Sequence, residues 1–571
     1  MKLLYKLLIV ISMLGISSCN LFELDGYLEN PNAVSPENAG VDFLYNNIQL
    51  SFENFVGSTW GFAGGVSRQI AMTGAFTYNG AYQPQSFNGV WSNAYSQILP
   101  DINALNTIAE ERGLGIYSGS AKIMEAYVLF TLADMFSDVP FSEAFQGTDI
   151  ISPNSDAGSD IYNVALGLLD EAIAELEGAE TAAPSVDIFY DGDKAKWITL
   201  AKTLKLRAYV QTRLIDSSAG DKIAAILADG DIIDTEDEDF QFQYSTNRLN
   251  PNSRHPFYNN SYESNDGTYM NNWYMWLLVG EKDERDPRTR FYFYRQDSDL
   301  TDESSTVFSC IFSTFPDRDF APDHFLNVDA DMPYCIASED GYYGRDHGNG
   351  SGIPPDGPVR AIYGLYPAGG AFDDNSFDFT QNQGEDGALG AGIAPYMLAS
   401  YTHFLLAEAV LTTSATGDAK QLLLDGVDLS MEKVFGFADL VDGSIVVAKD
   451  PVTQEDITLE DAYITPLDSL KGMYLDALSA EYDAAASDAE RLDIVVREYF
   501  IAAWGNGIET YNAYRRTGLP SNIQPTLDPG GGDFLRSALY PTDHVTLNSN
   551  AEQRDPTEPV FWDTNDKSLF R

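Results

Sequence analysis

Basic residues are scarce in this chain. Its 34 Lys and Arg stand against 86 Asp and Glu, for a formal net charge of −52 over 571 residues. That deficit argues against nucleic acid as a partner, because phosphate contacts need basic patches. It equally argues against adhesion to anionic lipid through the protein surface. Histidine is sparse, with five residues, and none of His255, His324, His347, His403 and His544 pairs with another at metal-ligand spacing. No HExxH occurs, so the sequence lacks a metallohydrolase signature. His403 lies on an apolar helical stretch and reads as a core histidine. After Leu14 no apolar run is long enough for a membrane span, which takes about 20 residues. Cysteine is limited to three positions, Cys19, Cys310 and Cys335.

What is present begins at the N-terminus. Lys2 and Lys6 precede an apolar run, Leu7 to Leu14, and the small residues Ile16-Ser17-Ser18 lead to Cys19. A basic start, a short apolar stretch and a small-residue cut site read as a secretory signal over residues 1–18. A cysteine directly after the small residues is the lipoprotein variant, with Cys19 as the lipidation site. An ordinary signal peptide with an incidental cysteine is the alternative. Each buried methylene of an acyl chain contributes about 0.8 kcal/mol, so several chains anchor firmly. Cleavage removes two lysines and no acid, leaving the body still more acidic. Residues 19–40, with Asn30-Pro31-Asn32 and Ser35-Pro36-Glu37-Asn38, read as an extended tether.

Helical spacing of apolar residues dominates beyond that point. It predicts helices over 120–136, 160–177, 193–214, 396–413, 419–435, 466–483, 488–504 and 507–516. In 193–214 the pattern places Trp197, Leu200, Leu204 and Tyr209 inward and Lys202, Lys205, Arg207 and Arg213 outward. Consecutive helix pairs with small and aromatic residues look like degenerate tetratricopeptide units, which bury their core between neighbouring pairs. The stretch 231–395 differs. It is rich in Gly, Asp, Asn, Tyr and Pro, and long irregular segments inside a folded body are usually functional. The expected class is mainly α, a single body over 41–571 with a loop-rich insertion at about 231–395.

Chemistry is harder to find. Gly387-Ala388-Leu389-Gly390-Ala391-Gly392 lacks the Lys-Ser/Thr of a phosphate loop. With 86 acids, carboxylate pairs arise by chance and carry no information on hydrolysis. The run Asp234-Thr235-Glu236-Asp237-Glu238-Asp239 reads either as a structural calcium site or as a solvated acidic turn. Cys310 and Cys335 lie in one loop-rich stretch of an exported chain and are candidates for a disulfide. Arg345-Asp346-His347 is the most suggestive polar cluster, either a ligand contact or a tightly hydrogen-bonded loop. Sugar rings need flat apolar faces and planar polar groups, which aromatic-rich stretches offer. Tyr78, Tyr82 and Trp91 form one such stretch, although Trp91 also reads as a core anchor. Trp273 and Tyr274 form another and are expected at the surface, with Met275 and Trp276 in the core.

Longer stretches resemble a known family. LENPNAVSPENAGVDFLYNNIQ, ADMFSDVPFSEAFQG at 133–147 and YDGDKAKWITLAKTLKLRAYVQTRL at 190–214 carry the match. So do YGRDHGNGSGIPPDGPVRAIYGLYPAGG at 343–370, SYTHFLLAEAVL at 400–411, WGNGIETYNAYRRTGLP at 504–520, RSALYP at 536–541 and PVFWD at 559–563. In this order they resemble the SusD/RagB nutrient-binding outer-membrane lipoproteins, SusD-like branch. The resemblance implies a superhelical scaffold of tetratricopeptide-like pairs with ligand-holding loops. It implies lipid anchoring on the outer face of the outer membrane, and partnership with a SusC-type TonB-dependent transporter that the protein caps like a lid. It implies binding without catalysis and no cofactor. An oligosaccharide ligand is favoured over a peptide. A lipid-tethered glycoside hydrolase and an envelope scaffold are the rivals from other classes.

Overall fold

A computed structural model describes residues 40–179, 183–264, 268–298, 321–350, 360–380 and 382–571. The signal, Cys19 and the tether up to residue 39 lie outside the described residues. The long helices are α1 (Val41–Val66), α2 (Leu99–Arg112), α3 (Gly115–Phe136), α4 (Gly158–Gly178), α5 (Lys194–Thr212) and α6 (Ala219–Asp229), then α7 (Ala399–Thr412), α8 (Ala419–Phe435), α9 (Leu467–Ala484), α10 (Asp488–Ala502) and α11 (Gly507–Thr517). None of the described helices is long and apolar enough to cross a membrane.

Their ends follow local chemistry. Asp193 accepts the Ala195 amide at 2.9 Å and opens α5. Asp418 accepts that of Gln421 at 3.1 Å and opens α8. At α10, Ser487 accepts from Glu490 N while the Glu490 carboxylate takes the Ala486 amide at 2.7 Å. Such side-chain acceptors satisfy amides that a helix start leaves without partners. Left-handed glycines stop α2, α6 and α11, a conformation that glycine adopts at little cost.

Antiparallel pairs α3–α4, α4–α5, α5–α6 and α7–α8 stack into the expected helical scaffold, with α10 on α7 and α11 on α1. One contiguous core runs from Val41 to Trp562. The α3–α4 contact is unusually close. A Cβ on Gly119 would lie 2.6 Å from Leu176 Cγ, and one on Gly115 would lie 2.9 Å from Glu175 O. Those glycines weaken helix propensity, which hides the first turn of α3 from a periodicity argument that starts it at residue 120. Three long helices, α1, α2 and α6, are not among those expected from periodicity.

The described residues between α6 and α7 are largely irregular, as their composition implies. Short antiparallel ladders tie them down. β1 (Phe240–Gln243) pairs with β4 (Ile393–Met397), and β2 (Phe293–Tyr294) pairs with β3 (Ile362–Tyr363). A third hairpin, β5 (Val446–Lys449) with β6 (Asp456–Thr458), follows α8. β4 leads straight into α7, and Asp239 accepts the Ala399 amide at 2.7 Å. Its carboxylate also meets Lys433 at 2.9 Å. The acidic run therefore has one buried structural member, Asp239, while Asp234 to Asp237 face solvent. Among the described residues no group of three or more His, Cys, Asp or Glu is placed to hold a metal.

Two outward assignments on α5 are corrected by the structure. Arg207 is buried, with Nε 2.6 Å from Glu509 and Nη2 3.5 Å from Asp134. Arg213 meets Glu408 at 2.9 Å with its side chain 5 % exposed, and Arg516 holds the same carboxylate at 2.6 Å. In a layered scaffold α5 is covered on both sides, by α4 and by the α7 and α11 layer. Polar residues on its second face are then interior ion pairs rather than solvated charges.

Candidate functional site

The middle of α1 presents Glu53, Gly57 and Trp60 at spacings of four and three, one face of a helix. Opposite them lie three short pieces. They are the chain after β1 (Tyr244, then His255 to Phe257), the strand residues Ala394 to Tyr396, and the turn Gly505 to Gly507 before α11. Together they enclose a cleft of ≈ 220 Å³, room for about one monosaccharide ring.

Aromatic rings build its walls. Phe257 stacks on Tyr363 at 4.5 Å and 17°, and Trp60 meets it at 4.9 Å. The Trp60 indole donates to Tyr363 Oη at 3.0 Å, which fixes the ring. Phe257 remains only half-buried. Tyr244 packs on His255 at 4.5 Å. His255 Nδ1 accepts the Phe257 amide at 3.0 Å and Nε2 lies 3.1 Å from Ile393 O. Nε2 therefore carries the proton and the ring is neutral. Burial pushes its pKa down to about 3. Asn506 donates to Pro395 O and Tyr396 O, both at 3.1 Å, and closes the floor.

Glu53 is the one lining residue with a carboxylate, and no Lys or Arg lines the cleft. Tyr244 Oη donates to its Oε1. Burial raises the Glu53 pKa above the ordinary value, and the tyrosine bond opposes that. The same proximity holds Tyr244 well up, by burial first and then by the Glu53 charge. The arrangement offers aromatic surface, chiefly the half-buried Phe257 ring, beside one hydrogen-bonding carboxylate.

The residues singled out from sequence lie elsewhere, and most are interior. Trp273 and Tyr274 are 0 % exposed, so their expected place at the surface is corrected. They sit in the short helix Asn272–Val279, which is buried along its whole length. Tyr274 Oη donates to Phe500 O at 3.0 Å, and its ring stacks on Trp504 at 5.1 Å. A single amphipathic face is absent there, so composition alone cannot separate inward from outward rings.

Arg345, Asp346 and His347 are also buried. Asp346 accepts from Asn272 Nδ2 at 3.0 Å, Gln524 Nε2 at 3.1 Å and Cys335 N at 2.9 Å. The Arg345 guanidinium covers the Tyr269 ring at 4.8 Å. His347 Nε2 meets Tyr78 Oη at 3.1 Å, and Arg68 Nη2 donates to the same oxygen at 2.9 Å. Thus Tyr78, the 345–347 cluster and Asn272 are brought together in a buried, hydrogen-bonded loop core. Tyr82 packs against Phe62 at 5.1 Å. Trp91 is half-buried, sandwiched by Tyr95 at 4.6 Å and His544 at 4.4 Å. Cys335 is disulfide-bonded; Cys310 lies outside the described residues.

Sequence reasoning missed Glu53, Trp60, Tyr244, His255 and Phe257. Three of them fall in the irregular 231–395 stretch singled out as functional. The signal for the other two was the 53–57–60 spacing, which puts a carboxylate, a glycine and a tryptophan on one helical face.

Comparison with known proteins covers nearly all of the chain. A family model described as "SusD-like_2: Starch-binding associating with outer membrane" matches residues 31–327. Another, described as "SusD-like: Susd and RagB outer membrane lipoprotein", matches residues 391–552. No curated protein sequence matches. Among solved structures, a SusD/RagB family protein from Bacteroides thetaiotaomicron is 20% identical, with TM-score 0.63, covering 92% of this chain and 100% of that one. A SusD homologue from Bacteroides fragilis is 15% identical, with TM-score 0.64 and coverage of 92% and 100%. A chitin-binding SusD homologue from Flavobacterium johnsoniae is 17% identical, with TM-score 0.61 and coverage of 92% and 99%. At such identities the likeness concerns the fold.

Proposed function

Because the chain belongs to the SusD and RagB family of outer-membrane lipoproteins, we propose that it is a surface lipoprotein that captures an oligosaccharide and delivers it to a TonB-dependent transporter of the SusC type. Lipidation at Cys19 tethers it, and the helical body caps the transporter as a lid that opens and closes. The observation that carries the binding step is the aromatic cleft. Phe257 and Trp60 supply faces for the C–H side of a sugar ring, while Glu53 and the peptide groups around Asn506 supply hydrogen-bond partners. A chitin-binding relative with the same fold supports a glycan over a peptide. The cleft holds one carboxylate, whereas glycoside hydrolysis generally uses two, so capture without turnover is the better reading.

The test is calorimetry on the soluble chain lacking residues 1–19, against a panel of oligosaccharides and peptides, with product analysis. Binding of one glycan class without product is expected. Phe257→Ala should weaken it roughly tenfold, since loss of an apolar contact of about 1–2 kcal/mol corresponds to that change. Product formation, or binding of peptides alone, overturns the proposal.

A further inference from the structure

The cleft pairs aromatic walls with a carboxylate that has no cation. Glu53 sits on α1 between Trp60 one side and Tyr244 the other. Its Oε1 accepts from Tyr244, and among the described residues no ion pair or other hydrogen bond reaches the group. The remaining lining side chains that titrate are Tyr244, His255 and Tyr396. Burial and the contacts above keep the two tyrosines and the histidine neutral. Glu53 is therefore the sole formal charge in the cleft. A half-buried carboxylate without a counter-charge is a costly arrangement for stability alone. It becomes useful when a ligand brings the cation, and an aromatic lining adds attraction for a cation over a ring face.

At ≈ 220 Å³ the cleft has room for about one sugar ring. Gly57, whose Cβ would meet Glu53 Oε1 at 3.4 Å, keeps the approach to the carboxylate clear on its own helix.

Resting on the glycan-capture reading above, we propose that this cleft is a subsite for an amino sugar, its protonated amine paired with the Glu53 carboxylate and its ring lying against Phe257 and Trp60. The subsite selects a free amine over an acetamido or hydroxyl group at the same position. A neutral substituent would leave the charge uncompensated and exclude its water.

The probes are glucosamine, N-acetylglucosamine and glucose, which share a ring and differ at one substituent. Each is titrated into the soluble chain by calorimetry, with Glu53→Gln and Tyr244→Phe in parallel and thermal melts to confirm folding. Glucosamine should bind roughly tenfold or more tightly than either neutral sugar, as a charge-assisted bond replaces a neutral one. Glu53→Gln should abolish that preference, and Tyr244→Phe, which keeps the charge, should retain it. A preference that survives in Glu53→Gln would reflect the general field of an acidic protein and overturns the proposal. So does equal binding of the three sugars, or binding of none. None of these results touches the capture reading, which the oligosaccharide panel decides separately.

Discussion

Removing the carboxylate of Asp134 should unsettle the scaffold more than any surface change. Asp134 lies on α3 with no exposed surface. Oδ1 accepts from Tyr162 Oη at 2.5 Å on α4 and from Trp562 Nε1 at 2.9 Å near the C-terminus. Oδ2 accepts from Asn512 Nδ2 at 2.8 Å on α11 and faces Arg207 Nη2 of α5 at 3.5 Å. Asp134→Ala therefore leaves three buried donors without an acceptor, while Arg207 keeps Glu509. Breaking a buried polar centre of this kind costs about 3–5 kcal/mol. Unfolding entropy near the midpoint is ~2.1 cal/mol/K per residue, so for a body of roughly 530 residues each kcal/mol moves Tm by about 1 °C. Differential scanning calorimetry should show a drop of about 3–5 °C for Asp134→Ala, and about 1 °C for Tyr162→Phe, which deletes one hydroxyl. In the double variant the hydroxyl has already lost its acceptor, so Tyr162→Phe should cost nothing further. A shift under about 1 °C for Asp134→Ala, or two losses that simply add, would refute the reasoning.

Three further outcomes follow from packing and burial. Gly507→Ala would place a Cβ 2.3 Å from Gly64 N, where α11 meets α1; backbone on both sides cannot yield, so a loss of about 1–3 kcal/mol or more should appear in the same calorimetry. Glu125 is buried on α3, and its pKa is pushed up to about 7 by burial, with Lys122 opposing and Glu171 adding. A folded pKa above the ordinary glutamate value of 4.5 contributes stability below that pH, which is lost as pH rises through about 7. Glu125→Gln should thus match the parent in acid and melt higher by about pH 8, in a series of melts against pH. Trp273→Ala empties a fully buried site and should cost about 3–5 kcal/mol, with sugar affinity per folded molecule unchanged in titrations.

Four of the stretches singled out in the sequence meet at this centre. Asp134 of ADMFSDVP, Arg207 of KLRAYVQTRL, Asn512 of WGNGIETYNAYRRTG and Trp562 of PVFWD converge on one buried carboxylate.

Helix content and pairing could be read from the chain because apolar periodicity and capping residues act locally. α7, α8, α9, α10 and α11 lie within a few residues of their expected bounds. The irregular 231–395 stretch was legible from composition for the same reason. Which aromatic faces water was not. Trp273 and Phe257 sit in similar company along the chain, yet one is sealed beneath α10 and the other borders a cleft, since burial is set by what packs on top. Nor could spacing reveal Arg207 as interior, because only the second helix layer turns a solvated face into a buried one. The sequence determined an acidic, helical, exported type of chain. The tertiary structure decided that Glu53, Trp60, Tyr244 and Phe257, far apart along the chain, share one cavity, because long-range packing alone brings such side chains together.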